Sequence, residues 1–423
     1  MQLQVSKPQQ RSSFIPALLL TAILVGFGAY LLYLLPKAAS PQKLNRDERT
    51  YYQTLYRDTW NYLANYIEPK TGLPYDSSAS QPPTSMNNVG LYLASTAIAT
   101  RTGLISKEEG LARIEKTLDT LEQVETWRGF PRPWVLVRTG KPTHGDEFNY
   151  GPHIATLVGG LIVAKTTFEP VVPRIEKLLS RMEFKNLYDS KSEWLKGGYN
   201  VKTHNFAVFQ PWGHWYYKYF AADTRLLSFY LIARGAVPKK HWFALIRPTE
   251  KKEGETFYAL PQPNSGLAPQ YLAGLFLDER ETQMGGSQKN LARAQMKSAK
   301  KMGAPVWGWS PSEAPNGRYL VEGELRDEIV TPYASILAAI YFPKQAYDNL
   351  KRLEGIGARP QLPQPQNYGF LDSVNWKTGA VAKDYMTPSQ GMAFLSLANL
   401  LYDGIVWKSF SEDPVVKRGL EVL

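Results

Sequence analysis

The 423-residue sequence contains no cysteine and only five histidines. The absence of cysteine excludes disulfide bonds, thiolate metal sites and a cysteine nucleophile. The five histidines lack the i, i+4 pairing of a helical zinc motif, so the sequence predicts no metal site and no cofactor.

Dense blocks of basic residues are also absent, although lysines and arginines exceed acids enough to give a net charge of +11. The basic residues are scattered along the chain, unlike the clustered patches of nucleic-acid-binding proteins. The sequence therefore predicts no nucleic-acid partner. A general attraction to an anionic membrane or polymer is the remaining inference from the charge.

Stretches of alternating polar and apolar residues, which would indicate β-strands, are few. About twelve helical segments follow one another instead, and apolar segments such as 151–165 alternate with amphipathic ones such as 173–182. Apolar helices must be sheltered from water, and amphipathic helices can shelter them. The pattern from residue 45 to 423 therefore predicts an all-α, double-layered barrel.

One uncharged apolar run, Pro16–Leu35, has the length of a membrane-spanning helix. It predicts a single transmembrane anchor at 16–35, with a tail at 1–15 and a linker at 36–44. Cleavage near Ala38-Ala39-Ser40 is the alternative. Basic residues lie on both sides of the run, so charge does not fix its orientation.

The segment from Trp215 to Trp242 contains a stretch, 221–234, that is apolar on nearly every face and predicts a buried helix. Asp223 would share a face of this helix with Leu226 and Tyr230. A buried carboxylate is costly unless it is paired or lines a polar cavity. Asp223 is therefore either a cavity-lining functional acid or a structural partner of Arg225 or the backbone.

Many tryptophans fall in loops that are rich in glycine, asparagine and tyrosine. Flat aromatic faces suit sugar rings, and nearby amides and carboxylates suit hydroxyl groups. The alternative is that these aromatics only close the barrel mouth. The tryptophans concerned are Trp127, Trp134, Trp212, Trp215, Trp307, Trp309 and Trp376.

Several motifs, in one order from about residue 60 to the C-terminus, resemble those of glucoamylase-like (α/α)6 domains. They include the segments TSMNNVGLYL (84–93), ADTRL (222–226), PVWGWS (305–310), TPYAS (331–335), YGFLDS (368–373) and QGM (390–392). Related domains occur in cyclic β-1,2-glucan synthases and bacterial β-1,2-glucanases, and a membrane-anchored bacterial branch is known as DUF3131. The resemblance implies a carbohydrate-active (α/α)6 barrel outside the cytoplasm, held at the inner membrane by its single span.

The matching segments imply a set of candidate site residues. We expect substrate contacts from Asn88, Arg225, Trp307, Trp309, Tyr333, Tyr368, Asp372 and Gln390.

The catalytic carboxylates of the family are partly displaced in this chain. The nucleophile-position glutamate of the family is Asp223 here, and the family's proton donor falls at Pro311, which has no proton to give. Glu313 is the first substitute donor and Glu147 the second, while either could instead be a solvated loop acid. Glycoside cleavage needs two carboxyl groups, one to protonate the leaving oxygen and one to attack or activate water.

The sequence thus favours a membrane-anchored glycoside hydrolase or transglycosylase that acts on an extracytoplasmic glucan or exopolysaccharide. The alternative is a catalytically inactive barrel that binds polysaccharide and supports its synthesis or export in the envelope. The expected partners are an oligo- or polysaccharide, the cytoplasmic membrane and, in the alternative, envelope polysaccharide machinery.

Overall fold

The computed structural model describes residues 43–79, 83–143, 147–149, 151–206, 208–209, 213–260, 266–320 and 328–422. The predicted tail at 1–15 and anchor at 16–35 lie outside these ranges, as does the linker up to residue 42. None of the helices in the described ranges combines the length and the apolar character needed to cross a bilayer.

Fourteen α-helices form in the described ranges, and we number them in chain order. They are α1 (Arg46–Asn65), α2 (Met86–Arg101), α3 (Lys107–Leu121), α4 (Gly151–Thr167), α5 (Val172–Arg181), α6 (Arg225–Ala233), α7 (Lys240–Ala244), α8 (Leu267–Phe276), α9 (Gln283–Met302), α10 (Pro332–Ala338), α11 (Pro343–Gly355), α12 (Thr387–Leu401), α13 (Ile405–Ser411) and α14 (Pro414–Gly419).

The even-numbered helices from α2 to α12 form an inner ring. They are apolar and almost entirely buried. Each packs against the next, and α12 packs back against α2, so the ring is closed. The odd-numbered helices from α1 to α11 each pack on a neighbouring inner helix. The fold is therefore a two-layered α/α barrel of the kind that the alternating sequence pattern predicts.

Glycine permits the closest contact in the inner ring, between α2 and α4. A Cβ atom on Gly90 would lie 2.2 Å from the carbonyl oxygen of Thr156, and one on Gly160 would lie 2.1 Å from that of Gly90. Real atoms do not approach this closely, so the two backbones can meet only where side chains are absent.

Side-chain caps mark the starts of helices α2 and α3. The Ser85 hydroxyl accepts a hydrogen bond from the backbone N–H of Asn88 at the start of α2. Ser106 does the same for Glu109 at the start of α3. Side chains of this type satisfy N–H groups that a helix cannot pair internally.

The predicted helix at 221–234 begins later than expected, at Arg225. The backbone N–H of Thr224 donates to Oδ1 of Asp223 over 2.8 Å. Such local side-chain contacts compete with helix formation. Asp223 therefore lies in the turn before α6, and the helical-face argument for its position is wrong.

The loops between the helices contain short β-strands, whereas the sequence pattern predicts few strands. They are β1 (Thr84–Ser85), β2 (Thr126–Trp127), β3 (Phe130–Pro131), β4 (Trp134–Val135), β5 (Glu147–Asn149), β6 (Tyr188–Asp189), β7 (Trp194–Lys196), β8 (Gly198–Asn200), β9 (Asn205–Phe206), β10 (Val208–Phe209), β11 (Gly213–His214), β12 (Tyr216–Tyr217), β13 (Thr249–Lys252), β14 (Glu255–Tyr258), β15 (Ser312–Glu313), β16 (Tyr319–Leu320), β17 (Ile329–Val330) and β18 (Val374–Asn375). Their antiparallel pairings place Ser85 opposite Trp134, Glu147 opposite Asn200 and Glu313 opposite Tyr319. Runs of two to four residues are too short for alternation to reveal them.

The last two helices pack at the C-terminal ends of the inner ring. Helix α13 contacts α4 and α8, and α14 contacts α6. The indole N–H of Trp407 donates to the carbonyl oxygen of Gly274 near the end of α8 over 2.7 Å. The inner-helix side chains fill the space inside the ring. The N-terminal ends of the inner helices are consequently the end that remains open.

Candidate active site

A cleft of about 1210 Å³, counting the open space at its mouth, lies at the N-terminal ends of the inner helices. All six inner helices or the turns just before them contribute to its wall. The contributing residues are Asn88, His153, Asp223, Ala268, Tyr333 and Pro388, in the order α2 to α12. Helix N-termini carry partial positive charge, so this end of the barrel favours carboxylates and polar ligands.

Asp223 lies on the cleft wall in the turn before α6 and is half-buried. Burial raises the pKa of its carboxyl group to about 6, although the backbone N–H of Thr224 and the charge of Arg225 act in the opposite direction. Most of the Asp223 side chains are therefore ionised at neutral pH. An ionised carboxylate can attack carbon or accept a proton.

Glu313 lines the cleft from β15, which forms a hairpin with β16. Burial raises the pKa of Glu313, and the charges of Asp384 and Asp76 raise it further. Asp76 also lines the cleft, and its Oδ1 accepts a hydrogen bond from the Asn88 side-chain amide over 2.6 Å. Burial likewise raises the pKa of Asp76. Burial therefore shifts both cleft carboxyl groups toward the protonated form, and for Glu313 the charges of nearby acids add to this shift.

The two sets of carboxyl groups approach the cleft from different sides. Asp223 precedes α6, whereas the carbonyl oxygen of Asp76 accepts a hydrogen bond from the backbone N–H of Thr387 at the start of α12. Helices α6 and α12 are three places apart in a closed ring of six. Asp223 therefore lies across the cleft from Asp76, whose charge also acts on Glu313.

Asp372 was expected to contact substrate, but it lies behind Glu313 and is 2% exposed. Its Oδ2 accepts from the backbone N–H of Glu313 over 2.6 Å, and its Oδ1 accepts from the Ser389 hydroxyl over 2.5 Å. Burial raises the pKa of Asp372 to about 7. Asp372 supports the Glu313 hairpin and does not line the cleft.

Arg225 was also expected to contact substrate, and the structure shows that this expectation is wrong. The guanidinium is fully buried and forms two 2.8 Å hydrogen bonds with the carboxylate of Glu279. It also donates to the carbonyl oxygens of Phe220 and Gln270. Arg225 is therefore part of the barrel's internal packing, and Glu279 is its partner in place of Asp223.

Three other predicted contacts belong to the packing around the cleft. The backbone of Trp307 is bonded to the Asn349 amide, and that of Trp309 to the Gln295 amide. Both tryptophans are at most 5% exposed, because these amides fix their loop against the neighbouring helices. Gln390 donates to the carbonyl oxygen of Phe370 over 2.7 Å.

Tyr368, the last expected contact outside the cleft, packs edge-on against the rings of Tyr62, Tyr66 and Tyr385. Of the eight expected substrate contacts, Asn88 and Tyr333 line the cleft. The hydroxyl of Tyr333 donates toward Ser310 and Pro311, so it holds the loop that carries Glu313.

Glu147 lies on β5, where its backbone pairs opposite Asn200. Its side chain is outside the part of the chain that the structure describes, and its proposed role as second donor stays a prediction. Among the tryptophans that the sequence places in loops, Trp134 lines the cleft. Trp127 instead stacks on Tyr199, with ring centroids 4.0 Å apart.

Sequence reasoning missed three titratable residues of the cleft: Asp76, His153 and Tyr319. Asp76 stands in the segment Tyr75-Asp76-Ser77-Ser78, which has no helical or strand periodicity. Its place in the loop between α1 and α2 was the available signal. In the described ranges, no group of three His, Cys, Asp or Glu residues could hold a metal ion.

Comparisons with known proteins agree with the resemblance that the motifs predict. Residues 54–243 match the family described as "Protein of unknown function (DUF3131)", and residues 264–414 match the Glycoamylase family, described as "Putative glucoamylase". The cyclic β-(1,2)-glucan synthase NdvB of Rhizobium meliloti (strain 1021) is 27% identical over 270 residues. That match covers 58% of this chain and spans 9% of the length of the synthase.

Solved structures share the fold. The endo-β-1,2-glucanase of Chitinophaga pinensis, in complex with sophorotriose and glucose, superposes with a TM-score of 0.74 at 18% identity, covering 90% of this chain and 98% of that one. The β-1,2-glucanase of Parabacteroides distasonis has the same TM-score at 15% identity, covering 90% of this chain and 60% of that one. These likenesses show an (α/α)-barrel of the glucoamylase-like type.

Proposed function

We propose that this protein is a glycoside hydrolase or transglycosylase that acts on a β-1,2-linked glucan. One observation carries the proposal: carboxyl groups face each other across the open end of the barrel, with Asp223 on one side and Glu313 with Asp76 on the other. Two carboxyl groups on opposite sides of a scissile bond are the requirement of glycoside cleavage.

The environments of the carboxyl groups suggest different roles. Glu313 is the proton donor, because burial and the charges of Asp384 and Asp76 raise its pKa, which is the direction that a general acid requires. Asp223 has no acid among the groups that shift its pKa, and it is mostly ionised at neutral pH. It therefore acts as the nucleophile or as the base. Asp76 assists by favouring the protonated form of Glu313.

In the proposed reaction, the bond between the anomeric carbon and the bridging oxygen breaks. The Glu313 proton passes to that oxygen, which leaves as a sugar hydroxyl. Asp223 either attacks the anomeric carbon, after which the acceptor hydroxyl displaces it and gives its proton to the Glu313 carboxylate, or it takes the proton from an acceptor hydroxyl that attacks directly. Water as acceptor gives hydrolysis, and a sugar hydroxyl as acceptor gives transglycosylation.

The choice of β-1,2-glucan is supported by the relatives. The matched synthase is named for a cyclic β-(1,2)-glucan, and the matched structures are β-1,2-glucanases. The aromatic-walled cleft suits a neutral glucan better than a phosphorylated or uronic polymer, since the ionised carboxylate of Asp223 would repel anions.

Product analysis of the purified full-length chain tests this proposal. Incubation with linear β-1,2-glucan should release shorter or rearranged oligosaccharides, detected by chromatography and mass spectrometry, while β-1,3- and β-1,4-glucans should remain intact. Asp223→Asn and Glu313→Gln should each reduce turnover about 10²–10⁴-fold, the usual contribution of such a group.

Asp403→Asn is the matched control, because Asp403 is exposed beyond the end of α12, away from the cleft. Its turnover should equal that of the unmodified chain. Binding of β-1,2-glucan with no turnover in the unmodified chain would instead support the inactive polysaccharide-binding barrel that could serve envelope polysaccharide synthesis or export.

We further propose that residues 16–35 anchor the chain in the inner membrane with the barrel outside the cytoplasm. The lack of native cysteine makes the test direct. Lys301→Cys, on the exposed face of α9, should react with a membrane-impermeant maleimide in intact spheroplasts. Ser12→Cys should react only after lysis. Reversed labelling would place the barrel in the cytoplasm.

A further inference from the structure

The cleft wall between α2 and α4 carries polar and aromatic groups that the proposed reaction does not use. Trp134 lies on β4, and its backbone is fixed by pairing with β1 beside the start of α2. The indole is 38% exposed and faces the cleft. Its ring packs edge-to-face with the imidazole of His153, with centroids 5.8 Å apart. This wall therefore presents a rigid, accessible aromatic surface.

Two polar atoms on the same wall have no hydrogen-bond partner among the described residues. They are Nδ1 of His153 and Oδ1 of Asn88, and both residues line the cleft. Asn88 is 1% exposed, and its amide N–H₂ group already donates to Asp76. Buried polar groups are normally paired, so unpaired ones at a cleft wall indicate that a bound molecule completes them.

The chemistry of these groups limits the class of ligand. Burial lowers the pKa of His153 to about 4, so the imidazole is neutral and offers one donor and one acceptor. The Asn88 oxygen only accepts. Neighbouring hydroxyl groups on a neutral ring satisfy both, because each hydroxyl can donate and accept. A pyranose also has an apolar C–H face that suits an exposed indole.

We propose that Trp134, His153 and Asn88 form a glucosyl-binding subsite on the α2–α4 wall, where the Asn88 amide N–H₂ group also holds Asp76. One sugar ring stacks on Trp134, and its hydroxyls bond to His153 and to Oδ1 of Asn88. The subsite rests on the proposed function and adds to it, since it holds a glucosyl unit that is not itself cleaved. The three residues determine how long an oligosaccharide must be to bind well.

Calorimetric titration with β-1,2-linked gluco-oligosaccharides of two to seven units tests the subsite. The full-length chain with Asp223→Asn serves as the parent, because blocked turnover keeps each ligand intact. Adding Trp134→Ala or His153→Phe should weaken the binding of longer oligosaccharides about tenfold, the effect of losing one stacking contact or hydrogen bond. Oligosaccharides too short to reach the wall should bind as tightly as before.

Phe243→Ala is the matched control, because Phe243 is 73% exposed on the outer helix α7. Its affinities should equal those of the parent at every length. Because the Trp134 side chain is exposed, Trp134→Ala should fold normally. It therefore tests the subsite even if His153→Phe lowers the melting temperature. Unchanged affinity in Trp134→Ala at all lengths, or an equal loss at all lengths, would overturn the subsite alone. Failure of the parent to bind any β-1,2-linked oligosaccharide would overturn the proposed substrate class, and the subsite with it.

Discussion

The backbone N–H of Glu313 donates to the carboxylate of Asp372 over 2.6 Å, and Ser389 donates to the other oxygen of the same carboxylate. Ser373 in turn donates to the carbonyl oxygen of Glu313. The proposed proton donor is therefore held through its backbone by a buried acid and that acid's neighbour. Its side chain remains free to face the cleft.

This relationship predicts a positioning role for Asp372. Asp372→Ala removes the acceptor and should lower kcat about 10- to 100-fold with little change in KM, because the substrate wall is intact while Glu313 is misplaced. Asp372→Asn keeps one acceptor oxygen for the Glu313 N–H and should restore most of kcat. Steady-state kinetics on β-1,2-glucan measure both. An equal loss in the two variants would contradict the role.

The pKa of Asp223 predicts the acid limb of the activity profile. Burial raises this pKa to about 6, and the proposed nucleophile or base must be ionised. Below pH 6 the ionised fraction falls tenfold for each pH unit, so kcat/KM of the unmodified chain should fall with it. Rates measured from pH 4.5 to 8 on short β-1,2-oligosaccharides should show a limb near pH 6. Asp403→Asn should show the same limb, and a flat profile between pH 5 and 7 would exclude this role.

Two glycine-to-alanine substitutions should change stability in opposite directions, one at the contact between α2 and α4 and one on α9, away from that contact. Gly90→Ala should lower the free energy of unfolding by about 3 kcal/mol or more, because its methyl group would overlap the Thr156 carbonyl and rigid backbones cannot yield. Gly286→Ala on α9 meets no atom within 4 Å. It should raise stability by about 0.5–1 kcal/mol through helix propensity. Thermal or urea unfolding compares the two, and equal shifts would contradict the close crossing.

The buried ion pair predicts that Arg225 acts through stability. Arg225→Lys keeps the charge but loses the two-point contact with Glu279 and the bonds to Phe220 and Gln270. Leaving a buried carboxylate poorly paired costs about 3–5 kcal/mol, so the melting temperature should fall markedly. KM of the remaining folded protein should be unchanged. A raised KM at unchanged stability would restore the expectation that Arg225 contacts substrate.

Much of the barrel follows from the sequence, since the alternation of apolar and amphipathic segments reports which helices are inside. The capped starts at Ser85 and Ser106 are equally local signals. The sequence predicts a helix from residue 221, but α6 begins at Arg225 because the Asp223 side chain accepts a hydrogen bond from the next backbone N–H. Composition alone does not reveal that contact.

The site was harder to predict, because its residues come from loops that meet only after the ring closes. Asp76 carries no periodic signal, and its proximity to Glu313 depends on residues more than 200 positions away. Arg225 looked functional because its partner Glu279 lies 54 residues further along the chain. Trp307 and Trp309 looked exposed because the amides that bury their loop belong to other helices.

The packing of α13 and α14 against the far ends of the inner helices has a consequence for how a polymer is handled. In the described part of the chain, inner-helix side chains fill the barrel interior, and α13 and α14 cover its far end. A strand of the proposed glucan substrate therefore cannot pass through the described barrel as through a pore, and it must enter and leave the cleft at the N-terminal ends of the inner helices.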